Sequence, residues 1–550
     1  LKKNKYILLV LIVILFINKS QAEDKNQDIY FKINKAFETY GVIFREVAGN
    51  YVESIDPEDL MQNGIDGMLS HLDPYTVYYK DNDNEIDVIS NGSYVGIGIS
   101  VATVDSVLTI VGITDGNPAS KSGLRIGDKI LIVDTTNVLK LSSDDLRKYT
   151  HGTIGSTIIF RVLRDNVNDT LSFTLKREDI KVNNVSFKTI LNKDIAYIKV
   201  EKFSKLTAND FRTAFTGLKK KDGELKGLII DLRNNPGGLL QSAVELCEMF
   251  LPQNSPIVTT RGRRQKEEFV FTSRAIPLDT IIPIVVLINQ NSASASEIVA
   301  GALQDLDRAV VIGKRSFGKG LVQSVLDLPF NASLKITTAK YYIPSGRCIQ
   351  RINYSKELVH GAAPKDSIFF TKNHRKVFES NGIEPDIKVI QDTLSDYVKS
   401  IYDKNLFFKF ANTFSGKLDS IEKEFKIDDI ILNSFQIFMK ESGFVYEKSL
   451  VRRFDLIKQK LDEDKSDKKL VKSIEYFAKE LEKKDRKFFD SNKSKIQQIL
   501  NFEIKSRFLS ELDLIEETIS DDKDINSALD LFKTEGYYHF LSGMPPKGQN

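Results

Sequence analysis

The chain has 550 residues, more than one ordinary domain holds and enough for about three or four. Hydrophobic residues make up 41% and charged residues 28%, a balance that lets real cores be buried in a globular body. The formal net charge of +3 supplies no basic field of the kind nucleic-acid binders use, and the two cysteines, Cys247 and Cys348, offer no disulfide framework and no metal-ligand spacing.

At the start, Lys2, Lys3 and Lys5 precede an apolar run from Tyr6 to Ile17, followed by Asn18-Lys19-Ser20-Gln21-Ala22. Basic, apolar and small-residue segments in that order predict a signal peptide over 1–22, cut after Ala22, and hence export. The run is shorter than the roughly 20 residues a membrane helix needs; left uncleaved, it would tether the chain to a membrane.

Residues 23–85 read as a helical region. Ile33, Phe37, Val42, Phe44 and Val47 recur at helical spacing, and Asp56-Pro57 has the form of an N-cap followed by proline at the first helical position. His71-Leu72-Asp73-Pro74-Tyr75 breaks that pattern. Between 86 and 178 the texture turns to short strands: Val95–Val101, Val107–Ile113, Lys129–Val133, Thr157–Leu163 and Thr170–Leu175. From 179 to 391 apolar strands (Gly227–Leu232, Ile281–Asn289, Arg308–Ile312) alternate with helical stretches at Leu239–Phe250 and Ser296–Gln304, an α/β pattern. Residues 392–550 are rich in lysine and glutamate with apolar residues at helical spacing, and predict a helical C-terminal region.

Four segments carry candidate chemistry. Tyr94-Val95-Gly96-Ile97-Gly98-Ile99 sets two glycines around one apolar residue, so that successive backbone N–H groups can converge on an anion such as a peptide carboxylate. A peptide held there could add to the neighbouring strand edge. At Asp231-Leu232-Arg233-Asn234-Asn235-Pro236-Gly237-Gly238 a strand ends in a glycine turn whose amides could stabilise an oxyanion. At Asn289 to Glu297 a second strand runs into a helix start through three serines, Ser292, Ser294 and Ser296. Here Ser294-Ala295-Ser296-Glu297 is also a capping-box sequence, and serines at helix starts cap far more often than they attack. Finally, Lys319 lies between Gly318 and Gly320 beside Phe317, where burial could lower its pKa enough for it to act as a base, and Gln323 shares a face with it in either a strand or a helix. The five histidines, His71, His151, His360, His374 and His539, lie outside the α/β segments around the serines, which disfavours a Ser-His-Asp triad.

The stretch from Asn289 to Arg308, followed by Gly313 to Gln323, resembles the catalytic signature of the C-terminal processing (tail-specific) serine proteases. Gly96-Ile97-Gly98 and the segment Pro118 to Ile130 resemble a PDZ domain, and His71–Tyr79, Tyr341–Gln350 and Gly382–Ile387 resemble further landmarks of that family. The resemblance covers about residues 28 to 390. It departs at Glu379-Ser380-Asn381, where a glycine-richer turn is usual, and at Asp134-Thr135-Thr136 in the PDZ segment. It implies a crotonase/Clp-protease-like α/β core with an inserted PDZ-like domain and flanking helical regions. It also implies Ser294 as nucleophile, Lys319 as general base and Gln323 as support for the lysine. The oxyanion hole would use the amides of Ala295 and of Gly237 or Gly238, and Tyr94, Gly96, Ile97 and Gly98 would hold the peptide. Substrates would be proteins with apolar C-termini; no metal, cofactor or nucleic acid is implied, the location would be periplasmic or anchored to the inner membrane, and a homo-oligomer or regulatory partner stays open. Two rivals are a crotonase-like acyl-CoA enzyme, which would not need both Ser294 and Lys319, and a non-catalytic peptide-binding scaffold, which would have lost one of them.

Overall fold

A parallel sheet is buried on both faces, and three fully buried strands, Gly227–Asp231, Ile284–Ile288 and Val310–Gly313, set the frame of this protein. The computed structural model describes residues 29–80, 92–446 and 487–542, apart from 182, 222–223, 264–267, 353, 355–366, 380, 391–392, 423 and 535, together with residues 473 and 476. The predicted signal segment 1–22 lies outside the described residues.

The chain divides into two units. The first comprises residues 1–82, 323–338 and 353–362. Helix α1 spans 29–50 and α2 spans Pro57–Leu69, where Asp56 accepts from the Glu58 amide at 2.7 Å and Pro57 opens the helix as expected. Ile33 and Phe37, on the apolar face of α1, stay 55% and 77% exposed. The break at His71–Tyr75 is an Asx-type turn: Asp73 accepts from the amides of Tyr75 and Thr76 at 2.9 and 3.0 Å. Strand β1 (Val77–Tyr79) then pairs antiparallel with Ser333–Lys335.

The second unit holds everything else. Its β-rich module contains β2 (Ser93–Gly96), β3 (Ile99–Val104), β4 (Val107–Ile113), helix α3 (Pro118–Ser122), β5 (Lys129–Val133), β6 (Thr136–Asn137), α4 (Ser143–Thr150), β7 (Thr157–Leu163), β8 (Leu171–Lys176) and β9 (Glu178–Lys181). The sheet order β3-β4-β5-β7-β8 leaves β3 at an edge, while β2 pairs with β9. The single strand expected over Val95–Val101 is split in two, because Gly98 takes a φ of +78°, which a continuing strand residue does not adopt.

The α/β core follows with β10 (Val185–Leu191), β11 (Ile195–Val200), α5 (Thr207–Lys221), β12 (Gly227–Asp231), α6 (Leu240–Glu248), β13 (Pro256–Gly262), β14 (Glu268–Thr272), β15 (Ile284–Ile288), α7 (Ala295–Asp305) and β16 (Val310–Gly313). After them come β17 (Leu321–Asp327) and β18 (Ser333–Tyr342), whose residues 323–327 and 333–338 belong to the first unit, then the hairpin β19 (Ile368–Phe370) and β20 (Lys376–Phe378), and β21 (Ile387–Lys388). The central sheet has the order β10-β11-β12-β15-β16-β21, parallel from β11 onward. Alternate residues serve its two faces. Ile198, Ile230, Val286 and Val311 pack with Phe211, Phe215, Cys247 and Leu303 of α5, α6 and α7. Tyr197, Ile229, Val285 and Ile312 point the other way, and meet Ile525, Ala528, Tyr537 and Leu541.

Those last four come from the C-terminal region. There α8 (Asp396–Asp403), α9 (Leu406–Ser415), α10 (Asp429–Glu441) and α11 (Lys493–Lys505) form a helical core of their own. After α12 (Glu511–Ile519), helices α13 (Lys523–Lys533) and α14 (Gly536–Leu541) supply the second cover of the sheet. The Tyr537 hydroxyl bridges two segments of the core, accepting from the Ile284 amide at 2.9 Å and donating to the Arg308 carbonyl at 3.0 Å. Both cysteines are free thiols.

Candidate active site

Two strand-to-helix junctions lie side by side at the C-terminal ends of β12 and β15. At the first, the chain leaves β12 through Arg233 and turns at Asn234 (φ +64°), Gly237 (φ +99°) and Gly238 (φ +145°). Both glycines are demanded by space as well as by φ. A Cβ on Gly237 would sit 2.8 Å from Ser294 Cβ and 2.9 Å from the Ala295 nitrogen, and one on Gly238 would sit 2.0 Å from the Phe203 carbonyl oxygen. Gly237 is therefore the one that abuts the serine, and its amide donates to Asn235 Oδ1 at 2.8 Å.

At the second junction the three serines separate by role. Ser292 is buried, and its hydroxyl donates to the Leu232 carbonyl at 2.8 Å. Ser296 is buried too, with its hydroxyl on the Asn235 carbonyl at 3.0 Å. Both stitch one junction to the other. Ser294, between them, is only half-buried and has φ +55° and ψ −114°. A non-glycine residue held there costs on the order of 1–3 kcal/mol, and such strain collects at functional sites. A sharp turn of this kind, at the start of a helix, presents a serine hydroxyl at the helix's positive end.

Glu297, read from sequence only as part of a cap, proves to organise the whole site. Its Oε2 accepts from the Ser294 amide at 2.8 Å and from the Lys319 amide at 2.9 Å. Its Oε1 accepts from the Ser316 hydroxyl at 2.5 Å and the Gly318 amide at 2.7 Å. The amides of the serine and the lysine thus converge on one oxygen of a fully buried carboxylate. Burial pushes the Glu297 carboxyl up to about 7, against the pull of those four donors. The Tyr341 hydroxyl adds a second link, within hydrogen-bond reach of the carbonyls of both Ser294 (3.1 Å) and Lys319. Gly318 has φ +88°, which keeps the Lys319 loop against Glu297.

The far end of α7 is clamped as well. Every residue of this helix is buried. Asp305 at its C-terminal end pairs with Arg347 at 2.8 Å, both side chains fully buried, and Gln304 Oε1 accepts from the same guanidinium at 2.7 Å. Asp386 joins from the other side, accepting from Gln304 Nε2 at 3.0 Å and from Arg375 at 2.6 Å. The landmarks at Tyr341–Gln350 and Gly382–Ile387 thereby acquire a physical meaning: they hold the rod that carries Ser294.

Gln323 belongs to the first unit, where its Nε2 donates to Thr337 Oγ1 at 3.3 Å and Thr337 donates on to Asp73 at 3.2 Å. In the β-module, Ile97 is buried and its carbonyl accepts from the Ala119 amide at 3.0 Å. The Tyr94 ring lies 5.6 Å from the His151 ring at the end of α4. The edge strand β3 is preceded by β2, paired with β9, and by the short turn Ile97-Gly98, a layout that strand addition by a peptide can use. Sequence reasoning missed Glu297 as more than a cap, and missed Tyr341. The signal for the first was present in the Ser-x-x-Glu spacing, and the second stood at the head of the Tyr341–Gln350 landmark, where nothing local gave it a role.

Four family models match the chain. Peptidase family S41 matches residues 194–358 and a PDZ domain matches 95–176. The C-terminal helical domain of PDZ-proteases matches 397–532, and the N-terminal domain of the activating protease CtpB matches 16–83. A carboxy-terminal-processing protease of Bartonella bacilliformis is 37% identical over 59% of this chain and 75% of its own length. Carboxy-terminal processing protease CtpB of Bacillus subtilis is 33% identical over 60% of this chain and 68% of its own. Among solved structures, a photosystem II D1 C-terminal processing protease aligns with a TM-score of 0.38 at 25% identity, covering 64% of this chain and 88% of that one. Among the described residues no helix is long and apolar enough to cross a membrane.

Proposed function

The chain belongs to peptidase family S41 as a C-terminal processing serine protease with a PDZ domain, and from that premise we propose that Ser294 and Lys319 form its catalytic dyad. The observation that carries the reading is the pairing of a strained, half-buried Ser294 with Lys319 through one Glu297 oxygen. In this mechanism the neutral Lys319 amine takes the Ser294 hydroxyl proton as Oγ attacks the scissile carbonyl carbon. The amide of Ala295 and an amide of the Gly237-Gly238 turn hold the oxyanion. Collapse breaks the C–N bond, the lysine returns the proton to the leaving amine, and water hydrolyses the acyl-enzyme by the same route. Gln323 supports the lysine, as the family resemblance implies.

Substrates are proteins cut near an apolar C-terminus whose carboxylate docks at Tyr94, Gly96, Ile97 and Gly98, with the last residues added to the edge of β3. The basic and apolar opening segment supports export to the periplasm. The test is degradation of an unstructured protein with an apolar C-terminus by the wild type, Ser294→Ala and Lys319→Ala. Both variants are expected to lose at least a thousandfold in rate, and retention of cleavage by either removes that residue from the dyad. Amidating the substrate's C-terminus should raise KM with kcat little changed; an unaltered KM would remove the carboxylate-docking role.

A further inference from the structure

The glycine turn beside Ser294 is anchored from a segment nearly 300 residues further along the chain. We propose that the C-terminal helical region sets the position of this turn through an ion cluster in which Asp522 and Asp524 hold Arg233, so that both aspartates are positioning residues for acyl transfer. The inference rests on the assignment of Ser294 and the Gly237-Gly238 turn made above.

Arg233 stands at the exit of β12. Its Nε and Nη2 donate to Asp231, the last residue of that strand, at 3.0 and 2.6 Å. Its Nη1 reaches the start of α13, donating to Asp522 Oδ2 at 2.7 Å and to Asp524 Oδ2 at 2.9 Å. The guanidinium side chain is 16% exposed and Asp524 only 6%, so water does little to screen the cluster. Asp231 alone would neutralise the arginine, and it is also satisfied by the Tyr197 hydroxyl at 2.6 Å. Two further carboxylates on the same guanidinium tie the exit of β12 to the start of α13. Asp522 is made tolerable by its place as the N-cap of α13, where it accepts from the amides of Asp524 and Ile525 at 2.9 and 3.0 Å.

What these two ion pairs secure is the chain that follows. Asn234 is bonded to the nucleophile loop three times. Its amide donates to Asn289 Oδ1 at 3.0 Å, and its Oδ1 accepts from Asn289 Nδ2 at 2.8 Å and Asn291 Nδ2 at 3.0 Å. The Asn235 carbonyl then accepts from the Ala293 amide at 3.0 Å, and Gly237 abuts Ser294. A rigid path therefore runs from α13 through Arg233 to the oxyanion turn. A displacement of about 1 Å at such a turn can cost roughly a hundredfold in rate.

The experiment uses the full-length chain and an unstructured peptide ending in apolar residues. Asp522→Asn removes the charge and keeps the cap, because asparagine caps as well as aspartate. The expected result is a fall in kcat of about ten- to a hundredfold, with KM within about twofold and the thermal midpoint within a few degrees, and recovery of kcat in Asp522→Glu. An unchanged kcat overturns the proposal. So does a loss of kcat that merely follows the thermal midpoint and is not rescued by glutamate. Should Asp522→Asn fail to fold, Arg233→Lys carries the same test, since lysine keeps the charge but loses the fork that spans three carboxylates. Ser294→Ala is run alongside. If it still cleaves, the underlying assignment has failed; if it is inactive while Asp522→Asn keeps full kcat, only the positioning role has.

Discussion

The two faces of the central sheet are built from the same strands and are covered in opposite ways. The face bearing Ile198, Ile230, Val286 and Val311 is covered by α5, α6 and α7, each joined to its strand by a short connection. The face bearing Tyr197, Ile229, Val285 and Ile312 waits for α13 and α14, some 200 residues beyond β16. The near face packs α7, whose N-cap is Ser294, the residue proposed as nucleophile. The far face carries the anchor, since α13 opens with Asp522 against Arg233. One sheet thus joins a layer built from nearby segments to a cover that arrives last.

The largest expected effect comes from removing the far cover altogether. A chain ended after Leu509 would leave Tyr197, Ile229, Val285 and Leu287 facing water, and we expect it to yield no soluble, folded protease by circular dichroism and activity. A folded, fully active truncation would break the comparison, because the far face would then need no partner. Next in size is a blow at the near layer's clamp. Arg347→Met leaves the buried Asp305 carboxylate without its cation, and should destabilise by about 3–5 kcal/mol in denaturant unfolding. Adding Asp305→Leu should restore much of that loss; a double variant no better than the single would argue against the ion pair as the clamp.

A smaller effect is expected on the far side. Tyr537→Phe strands the Ile284 amide and the Arg308 carbonyl, for about 1–3 kcal/mol. Because Ile284 and Arg308 lie at the ends of β15 and α7 away from Ser294, kcat should hold, and a kcat that falls while stability does not would contradict that separation. The subtlest effect is a pH dependence at Glu297. A carboxyl raised from 4.5 to about 7 by burial binds its proton more tightly in the folded state than in the unfolded one. Its contribution to stability is therefore fully present below about pH 4.5 and is lost as pH rises through about 7. Activity should move the opposite way, because only the ionised carboxylate accepts from the amides of Ser294, Gly318 and Lys319 together. Thermal midpoint and kcat measured from pH 5 to 8 should cross, and Glu297→Gln should flatten the midpoint slope. Parallel curves would remove Glu297 as the site's organiser.

Much of this was legible from residues alone. Asp56-Pro57, the strands Val107–Ile113, Lys129–Val133 and Thr157–Leu163, and the α/β alternation around Gly227 and Ile284 follow from capping chemistry and hydrophobic period, which are local properties. The four segments with candidate chemistry were visible for the same reason, since glycine turns and clustered serines announce themselves over a few residues. Three matters were settled only by tertiary structure. Which serine stands apart was decided when Ser292 and Ser296 found buried acceptors and Ser294 was left with a strained backbone. Glu297 ceased to be a mere cap when the Gly318–Lys319 loop folded onto both of its oxygens. The role of the C-terminal helices depended on a face of the sheet that no nearby residue could fill. A sequence displays period and spacing along the chain, whereas burial and charge pairing are set by whichever distant segment reaches the site.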